Sequence, residues 1–190
     1  MDFNKLNILF FLIFFLLSVP AFGENIKYDD YDNSLGIKAS NISGYGFYYR
    51  KKINDDFSLQ FMGLIYYFFT QNDEREYTNF NYDFGIELQR NILTGENHKF
   101  YILAGGYYYY DDDENNRLLN NKRTLAINNS FNVGIGIGYE LFYKRFLLNI
   151  ELGYKFFEDN KEITEDKNPA YPELHRVTKI GAGIGLGFTF

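Results

Sequence analysis

The sequence predicts an all-β fold: a closed, antiparallel, up-and-down transmembrane barrel of eight strands, following a cleaved export signal. Three observations carry this. First, the last ten residues alternate strictly. Ala182, Ile184, Leu186, Phe188 and Phe190 form one set, and Gly181, Gly183, Gly185, Gly187 and Thr189 the other. Successive side chains of a strand point to opposite faces, so one face is apolar and the other nearly bare. Inward glycines would leave the core of a soluble sandwich unfilled, whereas a small barrel is cramped inside and needs small residues where larger ones from other strands must fit. Second, aromatic residues make up 21% of the chain, 18 Tyr and 21 Phe with no Trp. A soluble surface would struggle to hide them, but a membrane barrel places them on its lipid face and in its interfacial girdles. Third, the connections between the alternating runs are alternately short and long.

The first residues, "MDFNKLNILFFLIFFLLSVPAFG", have a short segment bearing Lys5, an apolar run from Leu6 to Val19 broken only by Asn7 and Ser18, then Pro20 and Ala21-Phe22-Gly23. This is the layout of a secretory signal peptide, with cleavage after Gly23. The alternative is a membrane anchor, but the run of about 14 residues is shorter than the ~20 that a spanning helix needs. The expected organisation is a signal peptide at 1–23, a short periplasmic segment at 24–33 and one barrel domain at 34–190. Residues 1–23 hold one Asp and one Lys, so the mature chain keeps the net charge of −6, which argues against nucleic acid as a partner. With no cysteine, disulfides, thiol catalysis and thiolate metal sites are excluded.

The elements follow in order, cut by clusters of Gly, Asn and Asp. Residues 34–53 read either as one long strand or as two short ones. Asn41 to Gly44 has the chemistry of a tight turn, and a split there gives strands at 34–41 and 45–53. The third strand, 57–70, puts Phe57, Leu59 and Phe61 outward, although much of it is apolar on both faces. The fourth, 79–90, sets Phe80, Tyr82, Phe84, Ile86 and Leu88 against Asn81, Asp83, Gly85, Glu87 and Gln89. The fifth, 99–110, is again apolar on both faces, and its parity is open. The sixth, 130–142, sets Phe131, Val133, Ile135, Ile137, Tyr139 and Leu141 against Asn132, Gly134, Gly136, Gly138 and Glu140. The seventh, 145–157, sets Phe146, Leu148, Ile150, Leu152, Tyr154 and Phe156 against Asn149, Glu151, Gly153 and Lys155. The eighth is 176–190.

Residues 53–56, 93–98 and 143–145 make short connections; 71–77, 111–124 and 158–174 are longer and charged. Bacterial outer-membrane barrels have this asymmetry of short periplasmic turns and longer extracellular loops. With the last strand running toward the periplasm, the three long loops all fall outside, and an even strand count leaves both termini in the periplasm; this favours eight strands over seven. Closure is required because unpaired backbone groups in lipid cost several kcal/mol each. The final strand, with Phe188 and the terminal Phe190 at alternate apolar positions, resembles that of Gram-negative outer-membrane barrels of the OmpA, OmpX and OmpW kind. The resemblance implies that these phenylalanines serve as an assembly signal read by the barrel-assembly machinery, and that the protein resides in the cell outer membrane.

The inward faces offer Lys38, Arg50, Asp83, Glu87, Glu140, Glu151, Lys155 and Lys179 as a lumen charge network. Charges in a low-dielectric lumen must pair or meet water. An eight-stranded interior is just wide enough for side chains, so a filled polar core is favoured over a gated pore. The two histidines fall in a periplasmic turn (His98) and at the base of the last outer loop (His175). Ser130 and Glu173 do not form a triad with His175 by spacing, so no catalytic residue is assigned. Asp111, Asp113 and Asn115 match the start of a calcium loop, but Asn116 and Lys122 stand where its glycine and glutamate belong, so no metal site and no cofactor are expected. Tyr107–Tyr110 read as an interfacial girdle.

Function is then expected in one of three classes: a structural or surface-interaction barrel, a narrow channel for ions or small hydrophobic solutes, or a lipid-modifying enzyme. The first is preferred. Its partners would be outer-membrane lipids and lipopolysaccharide, and host or cell-surface ligands met through 71–77, 111–124 and 158–174. Deleting Phe190 is expected to leave secretion across the inner membrane intact and to impair outer-membrane insertion, read by fractionation and surface proteolysis. Normal surface assembly of the deletion would show that the last strand is not used as a signal.

Overall fold

The structure, a computed structural model, describes residues 31–117, 122–165 and 173–190. The expected signal peptide and most of the 24–33 segment lie outside the described residues. Eight strands form one closed ring in chain order: β1 (Asn33–Ser40), β2 (Gly44–Lys52), β3 (Phe57–Gln71), β4 (Arg75–Thr94), β5 (His98–Arg117), β6 (Lys122–Tyr143), β7 (Phe146–Glu165) and β8 (Glu173–Thr189). Every neighbour is antiparallel, and β8 closes on β1 from Ser34↔Thr189 to Ser40↔Gly183. The seven-or-eight question at 34–53 is thus resolved as two strands, joined by a turn at 41–43.

The alternation read from sequence is the alternation of the wall. Along β8, Ala182, Ile184, Leu186, Phe188 and Phe190 are exposed, while Gly181, Gly183, Gly185 and Thr189 are buried. Phe131, Val133, Ile135 and Ile137 on β6 and Ile150, Leu152, Tyr154 and Phe156 on β7 likewise face outward. With their counterparts on β4 and β5 they form a continuous apolar belt, far larger than a soluble monomer exposes, with the alternation of a lipid-facing barrel wall. The parity of β5 is now fixed. Lys99, Tyr101, Leu103 and Tyr107 are buried inside, while Phe100, Ile102 and Tyr108 are exposed. The run Tyr107–Tyr110 therefore splits, contrary to its reading as girdle throughout. Tyr82 meets Tyr108 and Tyr110 at ring-centroid distances of 6.1 and 5.2 Å in an outer girdle, while Tyr107 is buried in the lumen.

The stretches 71–77, 111–124 and 158–174 are not loops throughout. β3 and β4 are joined by the turn 72–74, in which the Asn72 side chain accepts hydrogen bonds from the backbone N–H groups of Glu74 and Arg75 at 3.0 and 2.7 Å. β5 pairs with β6 out to Arg117↔Lys122, and β7 with β8 out to Lys161↔Glu173. Residues 118–121 and 166–172 lie outside the described residues. Above the apolar belt both faces of a strand meet water, so polarity stops alternating while the backbone ladder continues. Charge density alone therefore reads as loop.

The interior glycines make room. A Cβ on Gly138 would collide with the Tyr101 ring, one on Gly187 with Tyr48, and one on Gly185 would lie 2.6 Å from the Asn149 carboxamide. The turn between β1 and β2 does not project outward but folds into the barrel. Ile42 is 0% exposed, and it packs with Tyr101 and Leu103. Cβ atoms on Gly134 and Gly181 would stand 2.7 and 2.6 Å from its side chain, and one on Gly105 2.9 Å from the Ser43 Cβ. Gly85 passes against the Ser43 carbonyl. Glycines of β4, β5, β6 and β8 thus form a seat for the hairpin tip. Gly44, at φ 116°, lets the chain turn back into β2.

Single cysteines at 131–141, in this cysteine-free chain, are expected to show bimane quenching by a lipid-soluble quencher that alternates with period two. Ile135→Arg, placing a charge on the outer face, should cost roughly 2–4 kcal/mol in equilibrium unfolding. Quenching without alternation would refute the assignment of the two faces.

Candidate functional site

The lumen is filled in layers. One apolar cluster of the lumen joins Tyr48, Met62, Phe142 and Leu147, with Tyr31 packed against it; Phe142 and Leu147 flank the short turn between β6 and β7, and Met62 reaches up to Gly44 and Gly85. A buried ionic layer follows. The Arg50 guanidinium grips Glu140 with two bonds, Nη1 to Oε2 at 2.5 Å and Nη2 to Oε1 at 3.0 Å, and Lys99 Nζ lies 3.5 Å from the same carboxylate. Lys38 Nζ donates to Glu87 Oε2 at 2.7 Å and also pairs with Glu151. Tyr101 and Ser40 donate their hydroxyls to Glu151 at 2.8 and 3.2 Å. Gln89 joins the two halves. Its amide donates to Glu87 at 2.7 Å, and its carbonyl oxygen accepts from Arg50 and from Lys99, each at 3.4 Å.

This layer draws on β1, β2, β4, β5, β6 and β7, and its charges balance: Lys38, Arg50 and Lys99 against Glu87, Glu140 and Glu151. Charges buried in a low-dielectric interior are tolerable when every one is paired and hydrogen-bonded. The bidentate Arg50–Glu140 fork has the strongest geometry available to such a pair.

Of the eight residues expected in the lumen, the structure brings five into this network: Lys38, Arg50, Glu87, Glu140 and Glu151. The other three lie apart from it. Asp83 is buried and accepts the Tyr45 backbone N–H at 3.0 Å, fixing the entry of β2 beneath the hairpin tip. Lys155 and Lys179 lie higher, stacked over the Phe157 ring at 4.6 and 5.3 Å. Lys99, Gln89 and Tyr101 belong to the network but escaped the sequence reading. The parity of β5 was open, which hid Lys99 and Tyr101. Gln89 stood on the correct face but carried no charge to draw attention.

Above the hairpin tip only β3 to β8 continue. Asp111 and Asp113 lie there on the face of β5 that carries Tyr107. They accept bonds from Asn79 Nδ2 at 2.8 and 2.6 Å, and Asp113 also from the Tyr77 hydroxyl at 2.5 Å. They therefore sit on a strand rather than in a calcium-type loop. Among the described residues no group of three His, Asp or Glu side chains is placed to hold a metal. Ser130, Asp159 and His175 occupy one row on three adjacent strands, since Ser130 pairs with Asp159 and Asp159 with His175. The acid stands between the other two. A serine hydrolase needs the base there, so this row is not in the order of a triad. His98 stacks on Tyr139 with ring centroids 6.2 Å apart.

No protein-family model and no curated protein matches the sequence. In fold, the chain is similar to the N-terminal β-barrel domain of Pseudomonas aeruginosa OprF, at 16% identity and a TM-score of 0.44, covering 84% of this chain and 96% of that one. It is similar to a major outer membrane protein from Thermus thermophilus, at 10% identity and a TM-score of 0.48, covering 83% and 99%. It is also similar to Ail, the attachment invasion locus protein of Yersinia pestis, at 14% identity and a TM-score of 0.42, covering 84% and 97%.

Within the ionic layer, removing one member of the Arg50–Glu140–Lys99 cluster should cost more than removing that cluster whole while Lys38, Glu87 and Glu151 stay. Glu140→Gln leaves Arg50 and Lys99 without their carboxylate and should lose roughly 3–5 kcal/mol, whereas the triple change Glu140→Leu, Arg50→Met, Lys99→Met should unfold within about 1 kcal/mol of the parent or above it. Urea titrations of the refolded barrel, read by gel mobility, compare the two.

Proposed function

We propose that the protein is an integral outer-membrane β-barrel with a structural or surface-interaction role and no catalytic function. One observation carries the reading: the lumen is occupied across its section. The paired charges of the ionic layer have side chains at most 4% exposed, and the tip at Ile42 seats above them against glycines of facing strands. A barrel so filled offers its outer surface and the part above the hairpin tip, not a through-going bore, for interaction. The surface on offer is the polar extension of the strands above the apolar belt, which includes the described parts of the expected contact stretches 71–77, 111–124 and 158–174. Its partners in this reading are outer-membrane lipids and lipopolysaccharide, the assembly machinery during biogenesis, and ligands at the cell surface. The outer-membrane location is supported by the closed ring of eight antiparallel strands and by the apolar belt.

Planar-bilayer recording tests this. The refolded protein is expected to give no resolved single-channel steps. Reproducible ohmic steps that disappear in the Ile42→Trp variant would overturn the filled-lumen reading in favour of a narrow channel.

A further inference from the structure

The ring closes fully only in its lower part. β1 and β2, of 8 and 9 residues, are short, close to the ~9–11 that a tilted strand needs to cross hydrocarbon. β3 pairs with β2 only as far as Gly63, and β8 pairs with β1 only from Gly183. Above those points β3 continues to Gln71 and β8 begins at Glu173, and no ladder joins them. The wall therefore has a lateral notch above the tucked hairpin tip, with the upper halves of β3 and β8 as its two lips.

The notch lies level with the upper part of the apolar belt. On the outer face, Ile65 of β3 is 66% exposed and Ile180 of β8 68% exposed, both above the level where β1 and β2 end. The two lips differ chemically. β3 is apolar on its inner face as well as its outer one, but only here: Leu64, Tyr66 and Phe68 point inward and remain exposed, where the facing inner positions of β4 are Asp83, Asn81 and Asn79. The β8 side carries Lys179, directly opposite Lys155 of β7. Like charges placed opposite each other on a sheet repel. Lys155 Nζ donates to the Tyr107 hydroxyl and to Asn132 Oδ1, each at 3.4 Å; Asp159, on the same face of β7, is the carboxylate that acts on it, but at longer range than an ion pair.

We propose that this notch binds a single-chain anionic amphiphile drawn from the outer leaflet. Its head group bridges Lys155 and Lys179 above Phe157, and its tail lies along Leu64, Tyr66 and Phe68 and out past Ile65 into the bilayer. An anion between the two lysines relieves their repulsion through charge-assisted hydrogen bonds. An alkyl chain covers the inner face of β3, which the hairpin is too short to reach. Unpaired backbone on the two lips is tolerable where it borders a hydrated cavity rather than bare lipid. The sequence shows the same feature as the third strand's departure from alternation.

This inference rests on the barrel lying in a membrane, and the experiment separates the two. Refolded protein in phosphocholine nanodiscs is titrated with 11-(dansylamino)undecanoate, read by energy transfer from tyrosine. Saturable transfer is expected, displaced by dodecanoate but not by dodecanol or butyrate. Lys155→Gln/Lys179→Gln should weaken binding by about a hundredfold, the scale of two lost charge-assisted bonds at about tenfold each, and Tyr66→Ala/Phe68→Ala should weaken it too. Transfer that never saturates, displacement by dodecanol as effective as by dodecanoate, or an unchanged lysine double variant would overturn the site. Displacement by butyrate would reduce it to a simple anion site and overturn the amphiphile. Each sample is checked for heat-modifiable mobility on semi-native gels. A heat-modifiable protein that fails to bind refutes the site alone, and a parent protein without that mobility refutes the barrel and the site together.

Discussion

A strand edge that faces bare hydrocarbon has nowhere to send its backbone N–H and C=O groups except to another strand. The rest of this structure follows from that constraint. It requires β8 to return to β1, and eight strands enclose a space only as wide as the side chains pointing into it. The inward positions must then fit one another across the bore. This is why glycine recurs beneath Tyr48, Tyr101, Asn149 and Ile42, and why the large inward residues are gathered into a few layers.

The same confinement governs the charges. Six ionised groups without bulk water would be prohibitive as individuals, but they are drawn from six strands into one linked set through Gln89 and Tyr101. A wall whose register is fixed by backbone ladders can bring such groups together from distant points in the chain, as with Lys38 and Glu151. The ionic layer ties the strands to one another internally, while the apolar exterior contributes no comparable side-chain specificity.

The sequence was most legible where one face met lipid and the other met the lumen. The even–odd split of β4, β6, β7 and β8 was plain from residue type, and six inward charges could be named from it: Asp83, Glu87, Glu140, Glu151, Lys155 and Lys179. It was least legible where both faces share one environment. β5 hid Lys99 and Tyr101 because tyrosines and aliphatics alternate with each other there. The charged extensions of β5 to β8 looked like loops because water lies on both sides. The turn at 41–43 was recognisable as a turn, but its inward fold was not, because nothing local distinguishes a tip that faces solvent from one that fits a recess built by four other strands. Of the glycines that make the recess, Gly85, Gly134 and Gly181 were read only as members of an alternating pattern, and Gly105 lay in the strand whose parity was open.

That recess also bears on the order in which the molecule can be made. Its walls come from β4 and β5 near the middle of the chain and from β6 and β8 toward its end, whereas the tip that fills it belongs to the first hairpin. The seat does not exist until the last strand has docked. A hairpin left outside at that moment would face a finished ring whose interior is already occupied below by paired charges. The tip must therefore be enclosed as the seam between β1 and β8 zips shut, which couples the earliest-made turn of the protein to its final assembly event.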